Sequence, residues 1–383
     1  MIKNPFIVSG YAEPDYFCDR KKESAELIRK TTNGNNLVLI SPRRMGKTGL
    51  IEHCFRNKKI CRSYYTFYVD IYATSGLQEL IFLLGKVIFD TLKPRGKKFI
   101  DKFFSIIGSL RPAFKLDATT GEPVFDIGIG EIRQAAFSLN EIFQYLEAAD
   151  KHCIVAIDEF QQIAHYPEPN IEALLRTNVQ QCRNATFIFS GSERHVMQNM
   201  FFAHSRPFYQ SAAMLTLEAI DEAVYTEFVQ RHFAAAGKNI AAETVKKAYR
   251  LFEGHTWYMQ ATFNEIFSML DAGETCTDDV LRSAIESRIA SYESMFSALL
   301  ALLPERQKLL LYAIAKEGKA SAITSGDFIK RHALPSASSV QTSAKQLADK
   351  EIITSENNVY QVYDRFFGLW LTTVFGTGYR IPQ

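Results

Sequence analysis

Gly46, Lys47 and Thr48 follow a short apolar run, Leu37-Val38-Leu39-Ile40, and are joined to it by Ser41-Pro42-Arg43-Arg44-Met45. A lysine and a hydroxyl residue directly after a glycine suit phosphate chemistry, because the free N–H groups and positive dipole of a helix start converge with an ammonium group on one anion. Phosphate oxygens are expected against residues Arg44 to Thr48, with Lys47 at the β- and γ-phosphates of ATP, or the β-phosphate of ADP, and the Thr48 hydroxyl on Mg²⁺. The candidate nucleotide-binding residues are thus Ser41, Pro42, Arg43, Arg44, Met45, Gly46, Lys47, Thr48 and Gly49. Ser41 stands where the phosphate-loop pattern has glycine. A left-handed serine there would cost roughly 1 kcal/mol, which a working loop tolerates.

A second apolar run, Cys153 to Ile157, ends in Asp158 and Glu159. Alone, two carboxylates at a strand tip are more often a solvated cap on a neighbouring helix. With the loop upstream they are expected to form a hydrolytic pair: Asp158 holds Mg²⁺ through water, and Glu159 orients and polarises the water that attacks the γ-phosphate. A further run, Thr186 to Phe189, ends in Ser190-Gly191-Ser192. Either Ser190 or Ser192 would sense the γ-phosphate from such a tip, or the segment is a plain strand-to-helix turn.

These residues need strands to carry them. Continuous apolar runs suit strands covered on both faces of a parallel sheet, so the chain is expected to be α/β, with helices on both faces. Tyr64 to Val69, closing in Asp70, lies between the loop and the Asp-Glu run in the sequence and is expected as a strand inserted between them. Ala213 to Leu217 is expected as the final core strand, and Leu77 to Asp90 and Phe99 to Leu110 as helices. Alternation on either side of Gly121 predicts a β-hairpin insertion at about 112–130, with Ser138 to Glu141 capping the helix that follows.

Together these segments resemble the archaeal-type P-loop ATPases, relatives of AAA+ proteins and of the STAND signalling NTPases. The resemblance spans nearly the whole chain and rests on Ser41 to Thr48, Ile157-Asp158-Glu159-Phe160-Gln161, Ser190-Gly191-Ser192 and Tyr363-Asp364-Arg365-Phe366-Phe367-Gly368-Leu369-Trp370-Leu371. It implies an AAA+-like sheet, a helical lid that closes on nucleotide, and a segment around Phe17-Cys18-Asp19-Arg20 near the adenine. Two family features are altered. Arg206-Pro207-Phe208-Tyr209-Gln210 replaces Pro-Leu-Tyr-Gly-Arg, so Arg206 or Arg194 is left to stabilise the transferring phosphoryl group, although an exposed arginine making only a surface pair is the preferred reading of each. Gly254-His255-Thr256 replaces Gly-x-Pro in the lid.

The expected domains are a P-loop ATPase core at 1–217, a helical lid at 218–293 and a winged helix at 294–383. The last rests on three helical stretches, Pro304 to Glu317, Gly326 to His332 and Ser336 to Lys350, followed by a hairpin turning at Glu356-Asn357-Asn358. Its third helix offers Ser338, Ser339, Gln341, Thr342, Lys345 and Gln346, residues able to read phosphates or base edges of double-stranded DNA. Winged helices also dock proteins, so a protein partner or self-association stands beside DNA. Tyr363, Phe366, Phe367 and Trp370 follow at helical spacing and are expected as core.

The 383 residues are 47% apolar, ample for more than one core. With 44 basic and 42 acidic side chains the net charge is +2, so any nucleic-acid contact must come from a local patch. The six cysteines are dispersed without metal-ligand spacing, and neither a signal core nor a membrane span is visible. The expected protein is cytoplasmic: a slow Mg²⁺-dependent ATPase that moves a lid and a winged helix. The alternative is a nucleotide-gated DNA-binding or docking module with little or no hydrolysis.

Overall fold

A computed structural model describes residues 4–11, 13–92, 97–107, 109, 114–116, 123–125, 134–375 and 378. The chain divides into two compact units, residues 10–218 and a second built from 219–378 together with the N-terminal residues 4–9.

The first unit is built on a five-stranded sheet of β1 (Leu37–Ile40), β2 (Tyr65–Asp70), β5 (Cys153–Asp158), β6 (Ala185–Gly191) and β7 (Ala213–Thr216), with β3 (Phe114–Leu116) and β4 (Pro123–Phe125) pairing apart from it as an antiparallel hairpin. The sheet order is β2-β5-β6-β1-β7, and each neighbouring pair is parallel. The strand between the loop strand β1 and the acidic strand β5 is therefore β6, whereas β2, expected in that place, lies at the edge beyond β5. Order along the chain does not report order across the sheet when helical crossovers intervene.

Successive strand residues face opposite sides, and both sides are filled. Leu37 and Leu39 of β1 join Leu27, Leu50, Ile51 and Cys54 on one face; Val38 and Ile40 join Val155, Phe187 and Phe189 on the other. The first face is covered by helices Lys21–Thr32 and Lys47–Phe55, and the second by Leu77–Leu92 and Ala135–Glu147. Burying each Leu or Phe of these layers contributes about 1.5–3 kcal/mol, which is why strands of four to seven residues hold their register. Ser138 and Glu141 lie inside the helix Ala135–Glu147 rather than at its cap, and Glu141 accepts the Ser109 backbone N–H at 3.1 Å. The turn at 117–122 predicted for the hairpin lies outside the described residues.

The second unit begins with helix Glu222–Ala235, capped by the Asp221 carboxylate on the amides of Ala223 and Val224. Residues 4–9 pack here and not with the core assigned to 1–217: Phe6 is fully buried, 5.5–6.2 Å from the rings of Phe228, Phe233, Phe263 and Phe267. The Asn4 side chain donates to the Asn264 carbonyl and the Asn264 side chain to the Phe6 carbonyl across this contact. Strands β8 (Asn239–Ile240) and β9 (Thr275–Cys276) pair in parallel.

Helix Asp278–Ala301 runs through the boundary expected after residue 293. Its first half packs Leu281 and Ile285 beside helix Thr256–Met269, and its end sets Phe296 against Phe367 and Trp370. One continuous helix therefore serves both the lid segment and the winged helix. The latter comprises helices Glu305–Glu317, Gly326–Arg331 and Ala337–Asp349 with a sheet of β10 (Ala320–Ser321), β12 (Val359–Val362) and β11 (Ile353–Glu356). Asn357 and Asn358 both take positive φ, the two-residue hairpin geometry favoured by the twist of the strands. Phe366, Phe367, Trp370 and Leu371 are buried along helix Arg365–Val374, as a core stripe. Among the described residues no helix is long and apolar enough to cross a membrane.

Candidate functional site

Strand β1 ends at Ile40, and the chain reverses through Ser41 to Met45 into helix Lys47–Phe55. Two residues in this reversal are left-handed, Arg44 at φ 68° and Gly46 at φ 91°. Glycine meets the larger demand, at the helix N-cap, where no side chain caps the first turn and its N–H groups stay open to an anion. Ser41 is not left-handed, so the strain that a serine would bring is not incurred; its hydroxyl turns onto the Pro42 carbonyl at 3.0 Å. Pro42 and Gly46 are exposed, and Met45 is buried against the sheet.

Lys47 is buried, and its ammonium donates to the Ser41 carbonyl at 3.1 Å across the loop. Burial pushes its pKa below the usual lysine range; the Glu159 and Asp158 carboxylates pull it back up without forming an ion pair. The next residue, Thr48, donates its hydroxyl to Asp158 Oδ2 at 3.1 Å, which joins the loop to the tip of β5. Asp158 Oδ1 accepts the backbone N–H of Glu159 at 3.0 Å. The Tyr68 hydroxyl reaches Asp158 Oδ2 at 2.5 Å, and burial followed by that carboxylate pushes the phenol pKa well above its ordinary value.

Glu159 is left-handed at φ 54°, which turns its side chain out of the strand direction. Its Oε2 accepts the Ser192 hydroxyl at 2.6 Å and the Gln161 amide at 2.5 Å. Arg43 Nε donates to Ser192 Oγ at 3.3 Å and its guanidinium lies 4.9 Å from the centre of the Tyr72 ring, so the phosphate loop, β6 and Glu159 share one network. Gly191 is the hinge of this corner: a Cβ there would come within 2.6 Å of Gln161 Oε1 and of the Met197 side chain.

Lys47, Thr48, Asp158 and Glu159 are thus brought to the carboxyl end of the sheet, where ligands bind in open α/β sheets. Ser190 is not in the network. It is fully buried beside Leu39 and its hydroxyl has no hydrogen-bond partner, whereas Ser192, two residues on, touches Glu159. Arg206 is engaged by Glu172, and Arg194 sits exposed in the first turn of helix Arg194–Phe202. An arginine held by a carboxylate reaches a phosphate only by breaking that pair. Arg20, left-handed and buried, donates to the Met45 carbonyl at 3.3 Å, while Phe17 stacks on His53 of the loop helix at 4.3 Å. The Phe-Cys-Asp-Arg segment is therefore tied to the phosphate loop. The Gly254-His255-Thr256 turn belongs to the second unit, where its neighbour Glu253 binds Lys319, Gln361 and Arg365.

Sequence reasoning missed Tyr68, Gln161 and Arg43 as a connected set. The signal for Tyr68 was present in the alternation Tyr65-Thr66-Phe67-Tyr68-Val69-Asp70, which sets Tyr68 and Asp70 on one face. Their register with Ala156 and Asp158 then fixes that face as the one covered by the loop helix.

Comparison with known proteins places the fold that carries these residues. The model of a family described as an ATPase domain predominantly from archaea matches residues 17–261, and a winged-helix domain matches 294–373. An ATP-binding protein of Methanocaldococcus jannaschii is 29% identical over 159 residues, 38% of this chain and 43% of that protein, so the match spans less than half of the relative's length. Among solved structures, a Walker-type ATPase of Pyrococcus abyssi superimposes with a TM-score of 0.63 at 18% identity, covering 96% of this chain and 99% of that one. The ORC2 protein of Aeropyrum pernix, in its ADPNP–ADP complexes, gives 0.58 at 13% identity, covering 97% and 96%. The ORC1 protein of the same organism, in complex with DNA, gives 0.51 at 13% identity, covering 94% of each chain. These likenesses establish the fold, and the family match extends over more than half of the chain: it belongs to the P-loop ATPase domains found predominantly in archaea, with a winged-helix domain at its C-terminal end.

Proposed function

We propose that the chain is a Mg²⁺-dependent ATPase that works as a conformational switch, its nucleotide state setting the placement of the C-terminal unit. The observation that carries this reading is Lys47, a buried ammonium held only by a backbone carbonyl, one residue from a threonine already hydrogen-bonded to Asp158. A buried cation without an anion is costly, and a polyphosphate offsets that cost.

The residues fit the ligand. Open N–H groups from Arg44 to Thr48 receive the phosphates, and Lys47 leaves the Ser41 carbonyl for the β- and γ-phosphate oxygens. Thr48 and Asp158 would hold Mg²⁺, which when bound supplies charge neutralisation and Lewis acidity at the phosphates. Glu159 orients the attacking water and takes its proton, a role that requires its carboxylate to turn from Ser192 and Gln161. Ser192 is the hydroxyl placed to register the γ-phosphate, because it bridges Glu159 to Arg43 of the loop; Ser190 would act from beneath. Phe17 and Arg20 then bound the nucleotide's base side.

Phosphate release with and without Mg²⁺, beside calorimetric titration of ATP, tests this reading. Binding in the micromolar range and Mg²⁺-dependent turnover are expected. A protein that binds no nucleotide, or one whose ATP is never cleaved, removes the enzymatic half.

A second reading, a nucleotide-gated DNA-binding module, is favoured by the winged helix, whose helix Ala337–Asp349 exposes Ser338, Gln341, Thr342, Lys345 and Gln346. The Aeropyrum pernix ORC1 relative in complex with DNA has the same overall fold. Titration with duplex DNA at several salt concentrations decides it, since phosphate contacts must weaken steeply as salt rises. Absence of binding at low salt would leave a protein partner or a second copy of the chain.

A further inference from the structure

Tyr68 belongs to neither the phosphate loop nor the Asp-Glu tip, yet its hydroxyl joins the two groups that would hold the metal. It sits on β2 opposite Ala156, two residues short of the strand's end, on the sheet face that the loop helix covers. From there the phenol donates to Asp158 Oδ2 at 2.5 Å, and its oxygen lies 3.3 Å from Thr48 Oγ1. The same Oδ2 accepts the Thr48 hydroxyl at 3.1 Å, while Oδ1 is occupied by the Glu159 backbone N–H. Both carboxylate oxygens are thereby fixed. The Thr48 proton points at Asp158, so the lone pairs of Thr48 Oγ1 are directed elsewhere.

We propose that Tyr68 is a positioning residue for the metal: its phenol holds the Asp158 carboxylate where that carboxylate accepts the hydrogen bond of the Thr48 hydroxyl and leaves the threonine lone pairs for the divalent cation of the magnesium nucleotide. The inference rests on the ATPase reading above and adds a part that no motif contains. A tyrosine suits the task because the strand places it one side-chain length from the tip; a shorter hydroxyl at position 68 would not reach Asp158. Groups that orient a metal's ligands without touching the metal change its affinity by about 10–100-fold when removed.

The near-isosteric Tyr68→Phe change removes the hydroxyl and keeps the ring. Calorimetry with ATP in chelator, repeated as Mg²⁺ is added, separates metal-linked from metal-free binding. Wild type should gain affinity with Mg²⁺, and Y68F should lose about 10–100-fold of its Mg²⁺–ATP affinity while its affinity for ATP in chelator and its ligand-free melting temperature stay within error. Two outcomes overturn the proposal: a Y68F protein whose magnesium dependence matches wild type, and one that loses metal-free ATP in equal proportion, which would mark general damage to the loop. Tyr68→Leu is the second variant; equal magnesium sensitivity in L and F variants ties the effect to the hydroxyl, and a loss confined to Leu ties it to packing and overturns the assignment. Wild type that binds no nucleotide at all would remove the ATPase reading itself, whereas magnesium-dependent wild type beside an unaltered Y68F removes only the role of Tyr68.

Discussion

Two clusters of charge, one in each unit, are arranged in opposite ways. In the core, Lys47 has only a carbonyl, and Asp158 and Glu159 are satisfied by hydroxyls and amides from Tyr68, Thr48, Ser192, Gln161 and the backbone. In the C-terminal unit, Glu253 meets two cations, Lys319 at 2.8 Å and Arg365 at 3.1 Å, and also takes the Gln361 amide at 3.0 Å. Burial raises the Glu253 pKa, but Lys319, Arg365 and Gln361 together outweigh it and hold the carboxyl below the usual glutamate range. The closed cluster needs no ligand. The open one has the opposite charges in the same corner and keeps them apart, the arrangement expected where an incoming anion and cation complete the pairing.

The contrast breaks most sharply at Lys47. Replacing it with alanine removes the buried ammonium that the ATPase reading assigns to the phosphates, and turnover should fall about 10²–10³-fold with a parallel loss of Mg²⁺–ATP affinity. Phosphate release and calorimetry measure both; unchanged affinity would show that the ammonium serves only to close the loop onto Ser41.

Glu159→Gln comes next. It keeps the hydrogen bonds to Ser192 and Gln161 in outline and removes the base, so turnover should drop about 10²–10⁴-fold while ATP affinity moves little. Loss of binding in step with turnover would place Glu159 among the groups that hold the nucleotide.

At the closed cluster the readout is stability. Glu253→Ala leaves Arg365 buried without its carboxylate and should cost about 1–3 kcal/mol, seen as a lower melting temperature with ATP affinity nearly unchanged. The pH dependence has a definite sign. A glutamate depressed in the folded state stabilises above its unfolded pKa, near 4.3, and loses that contribution as pH falls through the lower folded value. The difference between wild type and Glu253→Gln should therefore be full at neutral pH and shrink in acid. A gap that widens in acid would contradict the pairing.

Much of the open cluster was legible in the residues because buried strands read as unbroken apolar runs and end where polar residues begin. Leu37 to Ile40 and Cys153 to Asp158 are such runs, and the structure sets their tips together. What stayed hidden is information that only pairing supplies. The edge position of β2 depends on which strands neighbour one another, and without it Tyr68 is one more aromatic in an alternating strand. Residues 4–9 carry a single aromatic side chain, Phe6, and nothing local says that its pocket is formed more than 200 residues later. The continuity of helix Asp278–Ala301 across residue 293 was hidden for a related reason: the helix has apolar positions for two partners in succession, and periodicity does not record where one partner gives way to the next.

The smallest effect concerns the two serines that the sequence left as equals. Ser192 lies half-buried at the strand tip with its hydroxyl on Glu159, and Ser190 lies under the loop with a hydroxyl that bonds to nothing. An unsatisfied buried hydroxyl destabilises, so Ser190→Ala should leave the melting temperature unchanged or raise stability by up to about 1 kcal/mol, with turnover within about twofold of wild type. Ser192→Ala frees the Glu159 carboxylate from one of its two donors and cuts its link to Arg43; about a tenfold loss of turnover, or roughly 1.4 kcal/mol, is expected with affinity held. If Ser190→Ala is the variant that slows hydrolysis, the γ-phosphate is read from beneath the sheet end, through a hydroxyl that finds its partner only when nucleotide is bound.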